Sequence, residues 1–139
     1  MRSRIVQSLA FAVLALLPVS CALPTQPQEV KWKCNINGVP GAVVAITWLQ
    51  HGTQYSVESP GYPSNEVPLD GGFATFDNPV TTGWTEEVTA TYQGSANASA
   101  PITVTFFKEI FSGNDPEPID TIFLDKAVGN GSAHLVVTF

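Results

Sequence analysis

Few side chains in this 139-residue sequence are of types that carry chemistry. Histidine occurs only as His51 and His134. A Ser–His–Asp device needs a histidine positioned beside a nucleophile. His51 falls in the turn Gln50-His51-Gly52, and His134 falls on the outward face of a closing strand. Neither is accompanied by a Gly-x-Ser-x-Gly segment, so both read as solvent-exposed. Glu86 and Glu87 are adjacent and point to opposite faces of a strand. That is a poor beginning for the paired carboxylates of glycoside hydrolysis, although a partner distant in sequence stays open. No His/Cys cluster has zinc spacing, and no glycine loop is built to cradle a phosphate. The residues therefore imply neither a cofactor nor a resident metal. The acidic segment Asn114-Asp115-Pro116-Glu117-Pro118-Ile119-Asp120 offers the hard oxygens that calcium takes. Its spacing matches no EF-hand, its two prolines restrict a wrap, and a solvated loop is the plainer reading.

The remaining candidates bind rather than react. Trp32, Trp48, Trp84, Tyr55, Tyr62 and Tyr92 are the large amphipathic aromatics. Most must fill the core of so small a domain, but Tyr62 and Trp84 lie near loops and are the candidates for a ligand platform. Asn97-Ala98-Ser99 and Asn130-Gly131-Ser132 are N-glycosylation sequons in Gly/Ser/Ala-rich stretches, placing Asn97 and Asn130 on exposed loops. Cys34 is either a buried thiol in a strand or a partner in a disulfide, within the chain to Cys21 or between two chains.

Which cysteines survive depends on the N-terminus. Arg2 and Arg4 precede an apolar run from Ile5 to Leu17, and Ser20 and Ala22 supply small residues at −3 and −1. This is the layout of a secretory signal peptide over residues 1–22. The run is shorter than the ~20 apolar residues of a membrane helix, and no later segment is long or apolar enough to span. Lipidation at Cys21 is a third reading, but such signals usually place Leu where Pro18 stands. Cleavage after Ala22 leaves one domain's worth of chain, with four lysines against 12 acids and a net charge of −8. Such a surface repels phosphate backbones and anionic membranes, so nucleic acid is not an expected partner.

Residues 23–29 hold two prolines and read as a flexible arm, and a single domain over 30–139 follows. Period-two alternation recurs through it. Val30, Trp32, Cys34 and Ile36 form one face of a first strand. Val43 to Leu49 is nearly continuous apolar chain and reads as a central strand. Tyr55 and Val57 mark a third. Further strands follow at Phe73–Phe76, at Trp84–Gln93, around Ile102, Val104 and Phe106, around Ile119–Leu124, and at Leu135, Val137 and Phe139. Residues 106–112 are open between a helical turn and a continued strand. Eleven prolines and eleven glycines punctuate the pattern and bar long helices. About seven to eight short strands with turn signals every 8–12 residues or so predict an all-β, antiparallel two-sheet sandwich, immunoglobulin-like or transthyretin-like.

The stretch from Val30 through Asn37-Gly38-Val39-Pro40-Gly41 to Val44 resembles the opening of transthyretin-like (prealbumin-like) domains, a strand, an Asn-Gly-x-Pro turn and a second strand. Asp70-Gly71-Gly72-Phe73-Ala74-Thr75-Phe76 is similar to their Asp-x-x-Gly-x-Phe turn and strand. Secreted nematode proteins of that family share this size and a first-strand cysteine; the later cysteines of their pattern are missing here. The resemblance covers about a third of the chain and implies an extracellular binding or signalling role, without assigning a functional residue.

Compartment, fold and sequons together lead to the expectation of a secreted, non-catalytic binding protein with a protein or glycan partner outside the cell. One version is an effector of a pathogen or parasite. Two alternatives stand beside it: an assembly subunit that forms homodimers through Cys34 or through strand edges, and a small carbohydrate-active enzyme.

Overall fold

The computed structural model describes residues 26–139. The expected signal segment, its expected cleavage site and Cys21 lie outside them, as do residues 23–25 of the expected arm. Within them the alternation in sequence becomes an alternation in burial. The strands are β1 (Gln28–Asn37), β2 (Val43–Gln50), β3 (Thr53–Tyr55), β4 (Glu66–Pro68), β5 (Phe73–Pro79), β6 (Thr85–Tyr92), β7 (Pro101–Ser112), β8 (Asp120–Asn130) and β9 (Ser132–Thr138). Every pairing is antiparallel. One sheet runs β5-β1-β7-β8; the other runs β3-β2-β6-β9, with β4 paired to β2 beyond β3. The chain is an all-β two-sheet sandwich with the layout of immunoglobulin- and transthyretin-like domains.

The inward faces close on an aromatic centre. Trp32 and Trp48 meet at 4.7 Å between ring centroids, and Phe106 sets its edge against both at 6.0 and 5.8 Å. Cys34, Ile36, Val44, Val88, Ile102 and Val104 surround them with no exposed surface. Such burial is the main favourable term in the fold, and truncating one of these tryptophans to alanine costs about 3–5 kcal/mol.

A polar clasp shuts one end of this core. Tyr92 is buried; its hydroxyl donates to the Pro101 carbonyl at 2.9 Å and accepts from the Val39 N–H at 2.7 Å. It ties the β1–β2 turn to the start of β7. Glycine is required at position 38, because a Cβ there would meet the Tyr92 hydroxyl.

Several details differ from the sequence pattern. β1 begins at Gln28, pairing Gln28 and Glu29 with Ser112 and Phe111, so the ordered strand starts inside the expected arm. β2 is interior, but its apolar run conceals an alternation in which Val44, Ile46 and Trp48 are buried and Thr47 is exposed. Residues 106–112 continue β7 as strand, paired along β1 to Ser112. β4 has no sequence signal; three residues ending in Pro68 are held by pairing with Val43, Val44 and Ala45. β8 runs past Leu124 to Asn130, with a register shift opposite Phe106/Phe107.

Candidate functional site

The β2–β3 connection is a two-residue hairpin, since Gln50 pairs with Thr53 across His51-Gly52. Both turn residues have positive φ, 47° and 79°. That is the primed turn geometry whose twist suits a hairpin. Glycine takes it freely, and histidine is one of the few side chains enriched there. The hairpin is also tied to the next strand, with the His51 N–H donating to the Thr85 carbonyl at 2.6 Å.

Trp84 approaches from the β5–β6 connection. The C-terminal residue pins its backbone: Phe139 N–H donates to the Trp84 carbonyl at 3.0 Å, and Gly83 N–H donates to the Phe139 carbonyl at 2.5 Å. The Trp84 N–H closes a turn onto Thr81 at 3.1 Å. So held, the indole lies nearly parallel to the His51 ring, at 5.4 Å between centroids and 13° between planes. Trp84 keeps 40% of its surface exposed. Beside the stacked pair lies an open cleft of about 320 Å³ lined by Gln50, His51, Thr53, Gln54 and Trp84.

A buried carboxylate lies across the sheet from one of the cleft's lining residues. Glu86 is 3% exposed and pairs across the sheet with Gln50. It accepts a 2.7 Å hydrogen bond from the Trp48 indole N–H. Burial pushes the Glu86 carboxyl above the usual carboxylate range; the Trp48 bond and the nearby Gln50 amide oppose that shift without cancelling it. Its charge and, more strongly, burial push the Cys34 thiol far up, so it carries no thiolate.

Each residue singled out in the sequence now has a place. Trp84 is in the cleft. Tyr62, 39% exposed, sits in the β3–β4 loop and is not among the residues that line the cleft. Trp32, Trp48 and Tyr92 are core and Tyr55 packs against it. Glu86 and Glu87 diverge as expected: Glu86 points inward, and Glu87 points outward to His134 Nε2 at 2.9 Å. Cys34 is a free thiol with no exposed surface. Asn130 is exposed at the end of β8, and Asn97 is half-buried in the β6–β7 loop. Gly131 N–H donates to the Ala100 carbonyl at 2.8 Å, so the two sequon segments are neighbours. Asp115 and Glu117 are exposed in the acidic loop. Among the described residues no three His, Cys, Asp or Glu side chains gather as a metal site, and no helix is long and apolar enough to cross a membrane.

Sequence reasoning placed His51 in a turn but missed its stacking on Trp84. It also missed Glu86 as a buried group. The signal for Glu86 was present, because Glu86 shares the period-two face of Val88, Ala90 and Tyr92. No known protein-family model, curated protein or solved structure matches the chain.

Proposed function

We propose that this chain is a secreted, non-catalytic binding protein that engages a partner outside the cell through the Trp84–His51 cleft. One observation carries the reading: a tryptophan left 40% exposed in the lining of a cleft, its backbone held by Thr81 on one side and Phe139 on the other. Rigid exposed aromatics give large contact area for little lost conformational freedom, which is why they anchor interfaces. The cleft lining supports recognition over reaction, since it contains amides, a hydroxyl and two rings but no carboxylate.

Secretion rests on the basic start, apolar run and small residues of positions 1–22. The arrangement of the sequons fits it. β6 carries Trp84 before its first residue and the Asn97 loop after its last, and Asn130 adjoins that loop. Glycans there would stand about 25 Å from the cleft, the length of an eight-residue strand. Kinship with transthyretin-like domains is supported by the β1–turn–β2 opening and the Asp70–Phe76 segment. An effector role is the version of this function that suits a small secreted chain.

The test is saturable binding of fluorescently labelled mature protein to isolated fungal and plant cell walls and to decellularised animal matrix. The reading expects at least one surface to bind wild type and Tyr62→Ala alike, with at least tenfold weaker binding by Trp84→Ala. Equal binding by wild type and Trp84→Ala, or no binding to any surface, overturns it.

A further inference from the structure

The cleft's chemistry narrows what it takes. Its five lining residues include no Asp, Glu, Lys or Arg. An anionic ligand would find no cationic partner there, on a chain whose formal net charge is −6. A lipid tail or other wholly apolar group wants an enclosed, dry pocket, whereas this cleft is open and edged by amides and a hydroxyl. A ligand with one apolar face and a rim of neutral hydroxyls meets both features.

We infer that the cleft binds a neutral carbohydrate, with the C–H face of a pyranose ring on the Trp84 indole and its hydroxyls hydrogen-bonded by Gln50, Thr53 and Gln54. The inference rests on the cleft being the ligand site. The electron-rich face of an aromatic ring attracts the slightly positive C–H bonds of a sugar. Each sugar hydroxyl is both donor and acceptor, and a primary amide offers two donors and an acceptor in one plane. Gln50 lines the cleft and lies opposite Glu86 on the neighbouring strand. At about 320 Å³ the cleft lies at the small end of ligand sites and suits one or two sugar rings. So small a contact gives dissociation constants on the order of 0.1–1 mM. The His51 ring stacks on one face of the indole, so the opposite face is the one offered to a sugar.

The experiment is an NMR titration of ¹⁵N-labelled mature protein, following the Trp84 indole N–H and the Gln50 and Gln54 side-chain amides. The probes are neutral hexasaccharides of β-1,4-glucose, β-1,3-glucose, β-1,4-N-acetylglucosamine, β-1,4-xylose and β-1,4-mannose, with oligogalacturonate as an anionic control. At least one neutral probe should shift all three signals saturably. Trp84→Ala should weaken that probe at least tenfold, and Gln50→Ala and Gln54→Ala about threefold each, while Trp84→Tyr retains part of the affinity. Oligogalacturonate should leave the signals in place. Trp84 is exposed, so a dispersed amide spectrum of Trp84→Ala separates lost binding from lost fold. Suppose instead that surface binding needs Trp84, but no neutral probe moves its signal and protease rather than glycosidase treatment strips the receptor. The cleft then stands as a protein-binding site and the carbohydrate inference falls. If surface binding is indifferent to Trp84→Ala, both fall together.

Discussion

Glu86 combines a structural cost with a positioning role. Its carboxylate holds the Trp48 indole N–H at the centre of the sandwich and faces Gln50 at the cleft. Glu86→Ala should lower stability by about 1–3 kcal/mol, because it strands a buried donor, and thermal melts would show it. Glu86→Gln retains an acceptor for Trp48 and removes the titration. Below the ordinary carboxylate value of 4.5 the wild-type side chain is protonated whether folded or unfolded. As pH climbs from there through the raised native value, the unfolded state gives up its proton first, and stability from this group is lost. The melting temperature of Glu86→Gln relative to wild type should therefore rise across that window and level off above it. A difference independent of pH would show that Glu86 ionises equally well in both states. At the far end of the core, Tyr92→Phe deletes one donated and one accepted bond. The Val39 N–H loses its partner, and about 1–3 kcal/mol should be lost in denaturant titrations.

The β2–β3 hairpin shows why the elements were more legible than the site. Alternation along β1, β6 and β9 reads directly as burial, because a half-buried strand has period two. The stacking of His51 on Trp84 depends on a chain crossing from β5 into β6 and on Phe139 returning to pin it, none of which local pattern encodes. β4 is equally invisible, being three residues recruited by the edge of β2. Glu86 was legible by its face but was read only against its neighbour Glu87. His51→Gly should relax the positive-φ turn yet remove the ring beside Trp84. It should therefore keep stability within about 1 kcal/mol while weakening ligand binding, the two readouts separating backbone from contact. The edges of the four-stranded sheet have their own logic. β8 exposes Ile122, Phe123 and Val128 but also carries Lys126 and an interruption in its pairing with β7; β5 ends in Asp77 and Pro79. Charge, irregularity and proline are the devices that discourage edge-to-edge pairing. Lys126→Val should promote concentration-dependent association in analytical ultracentrifugation at concentrations where wild type sediments as a monomer.

At the scale of the molecule, the loops divide between two poles. The β2–β3 hairpin, the β5–β6 connection and the C-terminus build the cleft at one pole. The β6–β7 loop and the β8–β9 turn bring the two sequons together at the other. The thiol of Cys34 belongs to neither pole, since it lies inside the sandwich with no surface to offer another chain. On the proposed reading, glycans at Asn97 and Asn130 would stand clear of the cleft, so Asn97→Gln/Asn130→Gln should bind the surface partner as wild type does. The most direct measurement is the affinity of the wild-type chain for isolated cell walls or matrix, set beside that of Trp84→Ala with its fold verified. The account predicts a loss of at least tenfold on removing the indole. An unchanged affinity would contradict it and move the binding surface away from the cleft.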